Sequence, residues 1–304
     1  MIRDQSILNE YFAYYSYLCP MNTLHHLTLY ALDELKDLYD DNEISSICKL
    51  IYTDVFNYTN INIHLKKDEY LDKSFVNKFH DIIGLLKTGK PIQYILREVE
   101  FSGLKLKLNK DTLIPRPETE ELILWVAELV PSDAQILDIG TGSGCIALSL
   151  AHLLPQAKIS GIDIAEEAID MATENARNNL LHATFMRRDI LNHRDYTWEK
   201  YDCIVSNPPY VRDSEKQYMH VRVLEHEPHR ALFVSDEDPL LFYRTIAEFG
   251  KIHLNPNGLI FFEINEALGQ EMIELMHSYG YCDISLKKDI FEKDRFIKCR
   301  LGQD

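Results

Sequence analysis

The stretch Asp138-Ile139-Gly140-Thr141-Gly142-Ser143-Gly144-Cys145 lies between an apolar run, residues 136–139, and a helical pattern, residues 145–154. Glycines at such a junction let the backbone approach a ligand closely, and the start of the helix offers free N–H groups. The segment therefore predicts a strand, a ligand-binding turn and a helix. A dinucleotide fingerprint would have a third glycine or an alanine at position 145, where this chain has cysteine, so NAD fits less well.

An acidic residue follows the next predicted strand, at residues 158–164. Asp163 lies 23 positions after Gly140. A carboxylate at the end of the second strand can accept both hydroxyls of a ribose. The alternative is a glycine turn followed by an ordinary surface aspartate.

Strand-like and helical patterns take turns from about residue 116 to the end of the chain. Further strands are expected at residues 183–186, 202–205 and 259–264, and a closing hairpin at residues 283–287 and 296–301. Helices are expected at residues 166–179, 240–249 and 270–279. This alternation predicts an α/β fold with a mostly parallel sheet covered on both faces.

The first 85 residues have a different pattern. Apolar residues recur at helical spacing, as in Leu24, Leu27, Ala31 and Leu35, and no glycine occurs before Gly84. This spacing predicts a small helical bundle. Residues 92–108 then alternate around Ser102-Gly103, as a β-hairpin would. We expect three parts: a helical domain over 1–85, a hairpin linker over 86–115 and a catalytic domain over 116–304.

Charge and cysteine usage limit the classes of partner and compartment. The 48 acidic and 32 basic residues leave a net charge of −16, which disfavours nucleic acid as a partner and suits macromolecules with basic patches. We expect the aromatic residues between Tyr11 and Tyr17 to belong to the bundle and not to a base-stacking platform. The six scattered cysteines indicate a reducing cytoplasm, and we expect an unexported protein without a membrane span.

The second local signal is Asn207-Pro208-Pro209-Tyr210, directly after the predicted strand at 202–205. The prolines fix φ and remove two backbone donors, so the Asn207 amide and nearby carbonyl oxygens can face one point without competing N–H groups. Such an array suits a neutral NH₂ group, because the Asn207 side-chain oxygen and the Pro208 carbonyl can each accept one hydrogen. Tyr210 can stack on the planar group. A plain Asn-Pro turn is the alternative.

These motifs together resemble the S-adenosylmethionine-dependent methyltransferases that modify amide or exocyclic amino nitrogens. More narrowly, the chain from about residue 84 onwards is similar to the peptide chain release factor glutamine N5-methyltransferases. The segments that carry this similarity are Gly89-Lys90-Pro91-Ile92-Gln93-Tyr94-Ile95, Phe101, Leu113-Ile114-Pro115-Arg116-Pro117-Glu118-Thr119-Glu120, Glu227-Pro228 and Ala231-Leu232.

The resemblance implies a seven-stranded, Rossmann-like methyltransferase sheet and a release factor as the protein substrate, with the glutamine of its Gly-Gly-Gln loop as acceptor. It implies a substrate-recognition role for the helical domain, no metal, and a monomer. The catalytic residues would be Asn207, Pro208 and Tyr210, and these three together with Pro209 would bind the substrate. The residues that bind S-adenosylmethionine would be Gly140, Thr141, Gly142, Ser143, Gly144, Asp163, Asp189, Ile190, Asn207, Arg116, Glu118 and Thr119.

The chain departs from the family pattern where glycine is usual. These positions hold Arg97 in the hairpin, Asn265 after Glu263-Ile264, and Glu292 before Asp294-Arg295. All three lie outside the cofactor and Asn-Pro-Pro-Tyr motifs. We expect them to affect loop geometry and not the class of reaction.

Three other functions remain open from the sequence. An adenine or cytosine amino-methyltransferase could use the same Asn-Pro-Pro-Tyr array, a nicotinamide-dependent oxidoreductase could use the glycine loop, and a catalytically silent binding module could use the helical domain. His226 and His229 have metal-ligand spacing, but Pro228 interrupts the helix that such a site would use and no third ligand is evident.

Overall fold

The computed structural model describes residues 22–302, which form two compact units that divide after Leu96. The aromatic residues between Tyr11 and Tyr17 lie outside the described part of the chain. Among residues 22–302, no helix is long and apolar enough to cross a membrane.

The described part of the first unit is helical, as predicted. Its helices are α1 (Leu24–Leu35), α2 (Asp41–Leu50), α3 (Asn60–Leu65), α4 (Lys73–Leu86) and α5 (Ile92–Leu96). A short π-helical segment, Ile51–Val55, continues α2. Side chains of Asp40 and Asp72 accept backbone N–H groups at the starts of α2 and α4, which satisfies donors that have no partner inside a helix.

The predicted apolar face of α1 forms part of the core of this unit. Leu24, Leu27, Ala31 and Leu35 are all buried there, together with Phe79 of α4. The spacing of three and four residues places these side chains on one side of the helix.

The strand prediction for residues 92–96 is wrong, because these residues form helix α5. The Pro91 carbonyl accepts the N–H groups of Tyr94 and Ile95, which starts a helical turn. Proline is favourable at the start of a helix, since its missing N–H would have no partner there. The hairpin is therefore shorter than the sequence indicated.

Within residues 97–302 the second unit has eleven strands, among them the two strands of that hairpin. They are β1 (Glu98–Phe101), β2 (Leu104–Lys107), β3 (Gln135–Ile139), β4 (Lys158–Asp163), β5 (Thr184–Arg187), β6 (Tyr201–Ser206), β7 (Val211–Arg212), β8 (Phe233–Val234), β9 (Leu254–Glu263), β10 (Tyr281–Lys288) and β11 (Asp294–Leu301). Strands β1 and β2 pair antiparallel, and β7 and β8 form a short parallel pair.

Seven strands form the main sheet in the order β10-β11-β9-β6-β3-β4-β5. The pairs β9–β6, β6–β3, β3–β4 and β4–β5 are parallel, whereas β11 is antiparallel to both of its neighbours. The prediction of a seven-stranded, mostly parallel sheet is thus confirmed.

Helices α6 (Pro117–Leu129), α7 (Cys145–Leu153) and α8 (Glu166–Asn178) cover one face of this sheet, and α11 (Leu241–His253) and α12 (Gly269–Ser278) cover the other. Two short helices, α9 (Val221–His226) and α10 (His229–Leu232), lie in the chain between β7 and β8. Successive strand residues point to opposite faces, and accordingly Ile136 belongs to the core that includes α6, α7 and α8, while Leu137 belongs to the core that includes α11 and α12.

The chain order places a crevice beside β3. From β3 the chain proceeds outward through β4 and β5, then returns to the other side of β3 at β6. In open α/β sheets, ligands bind beyond the carboxyl ends of the strands at such a reversal. The glycine turn after β3 and the Asn-Pro-Pro-Tyr segment after β6 both lie at this edge.

Candidate active site

A cavity of about 240 Å³ opens at the carboxyl ends of β3, β4 and β6. Eight of the residues predicted for the site line it. They are Gly140, Gly142, Asp163, Asp189, Ile190, Asn207, Pro208 and Pro209. Residues from four separate segments of the sequence therefore meet around one space.

The glycine turn is anchored to the neighbouring strand. The N–H groups of Gly140 and Thr141 both donate to the Ile162 carbonyl of β4, each at 2.9 Å. Gly140 has φ +76° and Gly142 has φ +55°, conformations that favour glycine. Added Cβ atoms there would meet nothing within 4 Å, so these two glycines leave open space on the turn.

The third glycine has a packing role. Gly144 caps helix α7 with φ +81°, and a Cβ at this position would lie 3.1 Å from the Cβ of Ala172 in α8. This glycine lets two helices pack closely and does not line the cavity.

Asp163 connects the glycine turn to the segment that follows β4. One carboxylate oxygen accepts the N–H of Gly142 at 3.0 Å, and the other accepts the N–H of Ala165 at 3.0 Å. Burial raises the pKa of this carboxyl above its ordinary value. The side chain is thus oriented by the backbone, and each oxygen keeps a further lone pair for a ligand.

Asp138 lies beneath the glycine turn and is fully buried. Its Oδ2 accepts the Thr141 hydroxyl at 2.6 Å and the Ala147 N–H at 3.2 Å. Its Oδ1 is buried and has no hydrogen-bond partner within residues 22–302. Burial raises the pKa of Asp138 to about 7. Thr141 fixes this carboxyl, and neither it nor the buried Ser143 lines the cavity, so the cofactor roles of these two residues remain predictions.

The segment after β5 forms another wall of the cavity. Asp189 accepts the Leu191 N–H at 2.9 Å and the Asn192 side-chain amide at 2.7 Å, which caps the 3₁₀ turn Ile190–Asp195. Arg188 lies with its guanidinium carbon 4.3 Å from the centre of the Trp198 ring, a cation–π contact.

Asn207 is held from one side. Its Nδ2 donates to the Thr119 hydroxyl oxygen at 3.4 Å. Asn207, Pro208 and Pro209 face the cavity, whereas Tyr210 does not line it. The Tyr210 hydroxyl donates to Glu263 Oε1 at 3.1 Å. Burial and the Glu263 carboxylate raise the pKa of Tyr210, which keeps the phenol protonated.

Arg116, Glu118 and Thr119, at the start of α6, do not line the cavity. Arg116 Nη2 donates to Glu227 Oε1 at 2.7 Å, and Thr119 donates to Glu263 Oε2 at 2.7 Å. Glu118 is half-buried in the first turn of α6. The cofactor roles predicted for these three residues therefore remain predictions.

Glu120 and Glu121, which the sequence did not assign to the site, have structural partners. Glu120 accepts the N–H of Ser102 at the hairpin turn, at 2.7 Å, and Glu121 accepts the N–H of Ile290 between β10 and β11, at 3.1 Å. Both carboxylates fix neighbouring loops to helix α6.

Several lining residues were missed from the sequence. They are Asp111, Leu113, Ile139, Ile162, Ile164, Arg188, Leu191, Ser206, Arg230, Ala231, Phe242 and Ile246. Phe242 and Ile246 lie one helical turn apart on α11, a spacing that places both on one face of the helix. Glu263 was missed as well, although the sequence offered one signal: an acidic residue that ends the apolar run of a buried strand. Among residues 22–302 no group of three His, Cys, Asp or Glu side chains could hold a metal ion.

Comparison with known proteins gives matches over both units. Residues 26–96 match the family described as PrmC N-terminal domain, and residues 121–235 match the family described as Methyltransferase small domain. The release factor glutamine methyltransferase of Flavobacterium psychrophilum is 45% identical over 269 residues, which cover 87% of this chain and 94% of that protein. The enzyme of the same name from Bacteroides thetaiotaomicron is 42% identical over 274 residues, 90% of this chain and 99% of that protein.

A solved structure shares the fold. A methyltransferase from Pyrococcus furiosus aligns with a TM-score of 0.51 and 19% identity over 66% of this chain and 90% of that one. At this identity the likeness concerns the fold alone.

Proposed function

The chain belongs to the release factor glutamine methyltransferase family, and we propose that it transfers a methyl group from S-adenosylmethionine to the side-chain amide nitrogen of a release factor glutamine. The acceptor would be the glutamine of the Gly-Gly-Gln loop. The helical first unit, which matches the PrmC N-terminal domain, would contact the release factor.

One observation carries the proposal. Asn207, Pro208 and Pro209 line the same cavity as Gly140 and Asp163. A grip for an NH₂ group and a binding surface for a nucleoside-containing cofactor therefore adjoin each other. Methyl transfer needs this adjacency, because the leaving sulfur, the methyl carbon and the acceptor nitrogen must lie in line.

The residues present fit S-adenosylmethionine. Gly140 and Gly142 leave open space where a side chain would stand, and the oriented Asp163 carboxylate suits the ribose hydroxyls. When bound, the cofactor supplies a methyl group already activated by a sulfonium centre.

The protein's part in the reaction is to orient the acceptor. A glutamine amide nitrogen is a weak nucleophile, since its lone pair is delocalised into the carbonyl. Acceptance of its two hydrogens by Asn207 Oδ1 and the Pro208 carbonyl would fix that nitrogen and stabilise the positive charge that develops on it. The extra proton then leaves to solvent.

Tyr210 does not line the cavity, and its stacking on the planar group remains a prediction. Because its hydroxyl donates to Glu263 and its raised pKa keeps it protonated, it does not act as a base. We assign Tyr210 to the support of the Asn-Pro-Pro-Tyr loop. The proposed methyl transfer needs no general base.

The decisive experiment uses labelled S-adenosylmethionine with purified release factors, DNA and RNA in parallel reactions. We expect label on the release factor, and mass spectrometry of its tryptic peptides should place one methyl group on the Gly-Gly-Gln glutamine. Label only in nucleic acid would instead support an adenine or cytosine amino-methyltransferase.

Two variants test the assigned grip. Asn207→Ala removes the acceptor and Asn207→Asp replaces the amide by a charge, so both should lower kcat by about 100-fold. Binding of S-adenosylmethionine, measured by calorimetry, should show that the fold and cofactor site persist. Near-normal turnover in either variant would contradict the role of Asn207.

A further inference from the structure

Glu263, at the end of β9, is a buried carboxylate that receives two side-chain hydroxyls. It is 1% exposed. Its Oε2 accepts from Thr119 at 2.7 Å and its Oε1 accepts from Tyr210 at 3.1 Å. Its backbone carbonyl accepts the Tyr243 hydroxyl at 3.1 Å. The Thr119 hydroxyl comes from helix α6, and the Tyr210 hydroxyl comes from the same Asn-Pro-Pro-Tyr segment as Asn207.

The direction of these bonds follows from the chemistry of the groups. An ionised carboxylate only accepts hydrogen bonds, and a threonine hydroxyl has a single hydrogen to donate. Because Thr119 donates that hydrogen to Glu263, its oxygen can only accept from Asn207. The Asn207 side chain must therefore turn its NH₂ towards Thr119, as observed at 3.4 Å.

This direction decides which end of the Asn207 amide is presented to a substrate. With Nδ2 held by Thr119, Oδ1 is available as the acceptor for an incoming NH₂ group. The opposite orientation would present a donor to a donor, and the amide of the substrate would not be held. An asparagine side chain has no preference of its own between the two orientations.

We propose that Glu263 is a positioning residue that acts through Thr119 to fix the orientation of the Asn207 amide, so that Oδ1 faces the amide nitrogen to be methylated. This inference rests on the proposed function of Asn207. Glu263 itself contacts neither cofactor nor substrate in this scheme. Because Glu263 can only accept hydrogen bonds, it sets the direction of the chain in which Asn207 donates to Thr119 and Thr119 donates to Glu263.

Each oxygen of Glu263 accepts a hydroxyl hydrogen, an arrangement that suits an ionised carboxylate. Burial raises the pKa of the carboxyl, while the hydrogen bonds from Thr119 and Tyr210 and the charge of Arg295 act against that shift. Arg295 also binds Asp289 at 3.1 Å and the Ile264 carbonyl at 3.3 Å, which holds its guanidinium in this region.

Two variants change the chain of hydrogen bonds at defined points, and a third variant preserves it. Thr119→Val removes the hydroxyl at nearly constant volume, so the Asn207 amide loses its anchor. Glu263→Gln replaces one accepting oxygen by a donor, so the Thr119 hydroxyl can point either way. Thr119→Ser keeps the hydroxyl and should preserve the direction. Tyr243→Phe is the matched control, since it removes a buried hydroxyl bond to Glu263 that lies outside the chain.

We expect Thr119→Val and Glu263→Gln to lower kcat for release factor methylation by about 10- to 100-fold, with the S-adenosylmethionine Kd unchanged within about threefold. Thr119→Ser should recover most of the loss, and Tyr243→Phe should retain the wild-type kcat. Wild-type-like kcat in both Thr119→Val and Glu263→Gln would overturn the proposal, as would equal losses in Thr119→Ser and Thr119→Val.

A second measurement does not depend on turnover. The side-chain NH₂ signals of Asn207 in ¹⁵N-labelled protein, assigned with Asn207→Asp, report the environment of both amide hydrogens. In the wild type and in Thr119→Ser, we expect one of the two hydrogens to show the chemical shift and the slow exchange of a hydrogen-bonded group. In Thr119→Val, this hydrogen should lose that chemical shift and that slow exchange. Unchanged signals in Thr119→Val would overturn the proposal. A wild-type enzyme that methylates no release factor would refute the proposed function, whereas the amide signals would still test the orientation.

Discussion

Arg116 and Glu227 form an ion pair that joins the turn before α6 to the segment before α10, with Nη2 and Oε1 2.7 Å apart. The Glu227 side chain is 1% exposed and that of Arg116 is 31% exposed. The second Glu227 oxygen accepts the Ile114 N–H at 3.3 Å. Glu227 thus binds both the backbone and the side chain of the same turn.

The pair predicts a loss of stability in Arg116→Ala. Removal of the guanidinium leaves a nearly buried carboxylate without its counter-charge, which costs about 3 kcal/mol. Both tryptophans, Trp125 and Trp198, lie in the second unit, so urea unfolding followed by tryptophan fluorescence reports on that unit alone.

A double-mutant cycle separates this role from cofactor binding. In a Glu227→Gln background no charge is left unpaired, so Arg116→Ala should cost at least about 1 kcal/mol less than in the wild type. Equal costs in both backgrounds, together with weaker S-adenosylmethionine binding, would favour the cofactor role that the family resemblance implies for Arg116.

Gly161→Ala should destabilise the floor of the cofactor site. A Cβ at Gly161 would lie 2.7 Å from both Phe185 Cδ1 and Thr141 Oγ1. Since Thr141 holds Asp138, its displacement would disturb the glycine turn. We expect a loss of about 1–3 kcal/mol and a higher Kd for S-adenosylmethionine, measured by unfolding and calorimetry.

Gly84→Ala provides the control for that substitution. Gly84 lies inside helix α4, and an added Cβ would meet nothing within 4 Å. Alanine should therefore stabilise the first unit, by up to about 1 kcal/mol, and leave S-adenosylmethionine binding unchanged. A neutral Gly161→Ala would show that the strand yields without strain.

The large elements of this fold were predictable because their signals are local. The run at residues 136–139 and the glycines that follow it are contiguous, and the strand, turn and helix appear where the sequence indicated. The prediction for residues 92–96 failed because a short, mainly apolar stretch fits either a strand or a helix. Here the Pro91 carbonyl accepts the N–H groups of Tyr94 and Ile95, which favours the helix.

The site was predictable in its parts but not in its connections. Asn207 and Asp163 lie in motifs, and both line the cavity. The link from Glu263 through Thr119 to Asn207 joins residues 144 and 88 positions apart. Such contacts follow from strand order, which periodicity does not reveal.

Asp138 predicts a pH dependence of stability. Burial raises its pKa from 3.8 to about 7, so the native carboxyl retains a proton that the unfolded chain releases. The resulting stabilisation is complete below the unfolded pKa and is lost as pH rises through the native pKa. The unfolding free energy of the second unit should therefore fall between about pH 4 and pH 7.

Asp138→Asn tests this assignment, because the amide oxygen can still accept from Thr141 and Ala147 but does not titrate. The difference in unfolding free energy between variant and wild type should shift in favour of the variant by up to a few kcal/mol across this range. Parallel pH profiles for the two proteins would assign the dependence to other carboxyls, of which Asp163 is the nearest candidate.

Substitution by glycine should affect stability differently at the three positions where the family usually has glycine. Arg97 has φ +60° and Glu292 has φ +62°, and both side chains are exposed. Left-handed backbone costs a residue with a Cβ about 1 kcal/mol relative to glycine, whereas glycine adds entropy to the unfolded chain. Arg97→Gly and Glu292→Gly should therefore range from neutral to about 1 kcal/mol more stable.

Asn265 differs because its backbone has φ −64° and its side chain has three partners. It accepts the Ala267 N–H at 3.0 Å and donates to the Tyr210 carbonyl at 3.1 Å and to Glu215 at 2.8 Å. Asn265→Gly should lose about 1–3 kcal/mol in urea unfolding and lower kcat, since Tyr210 adjoins the grip on the substrate. If the free energies of unfolding of Asn265→Gly and Arg97→Gly were equal, the three hydrogen bonds of Asn265 would contribute nothing to stability. Asparagine would then be tolerated at position 265 only because the backbone there does not require glycine.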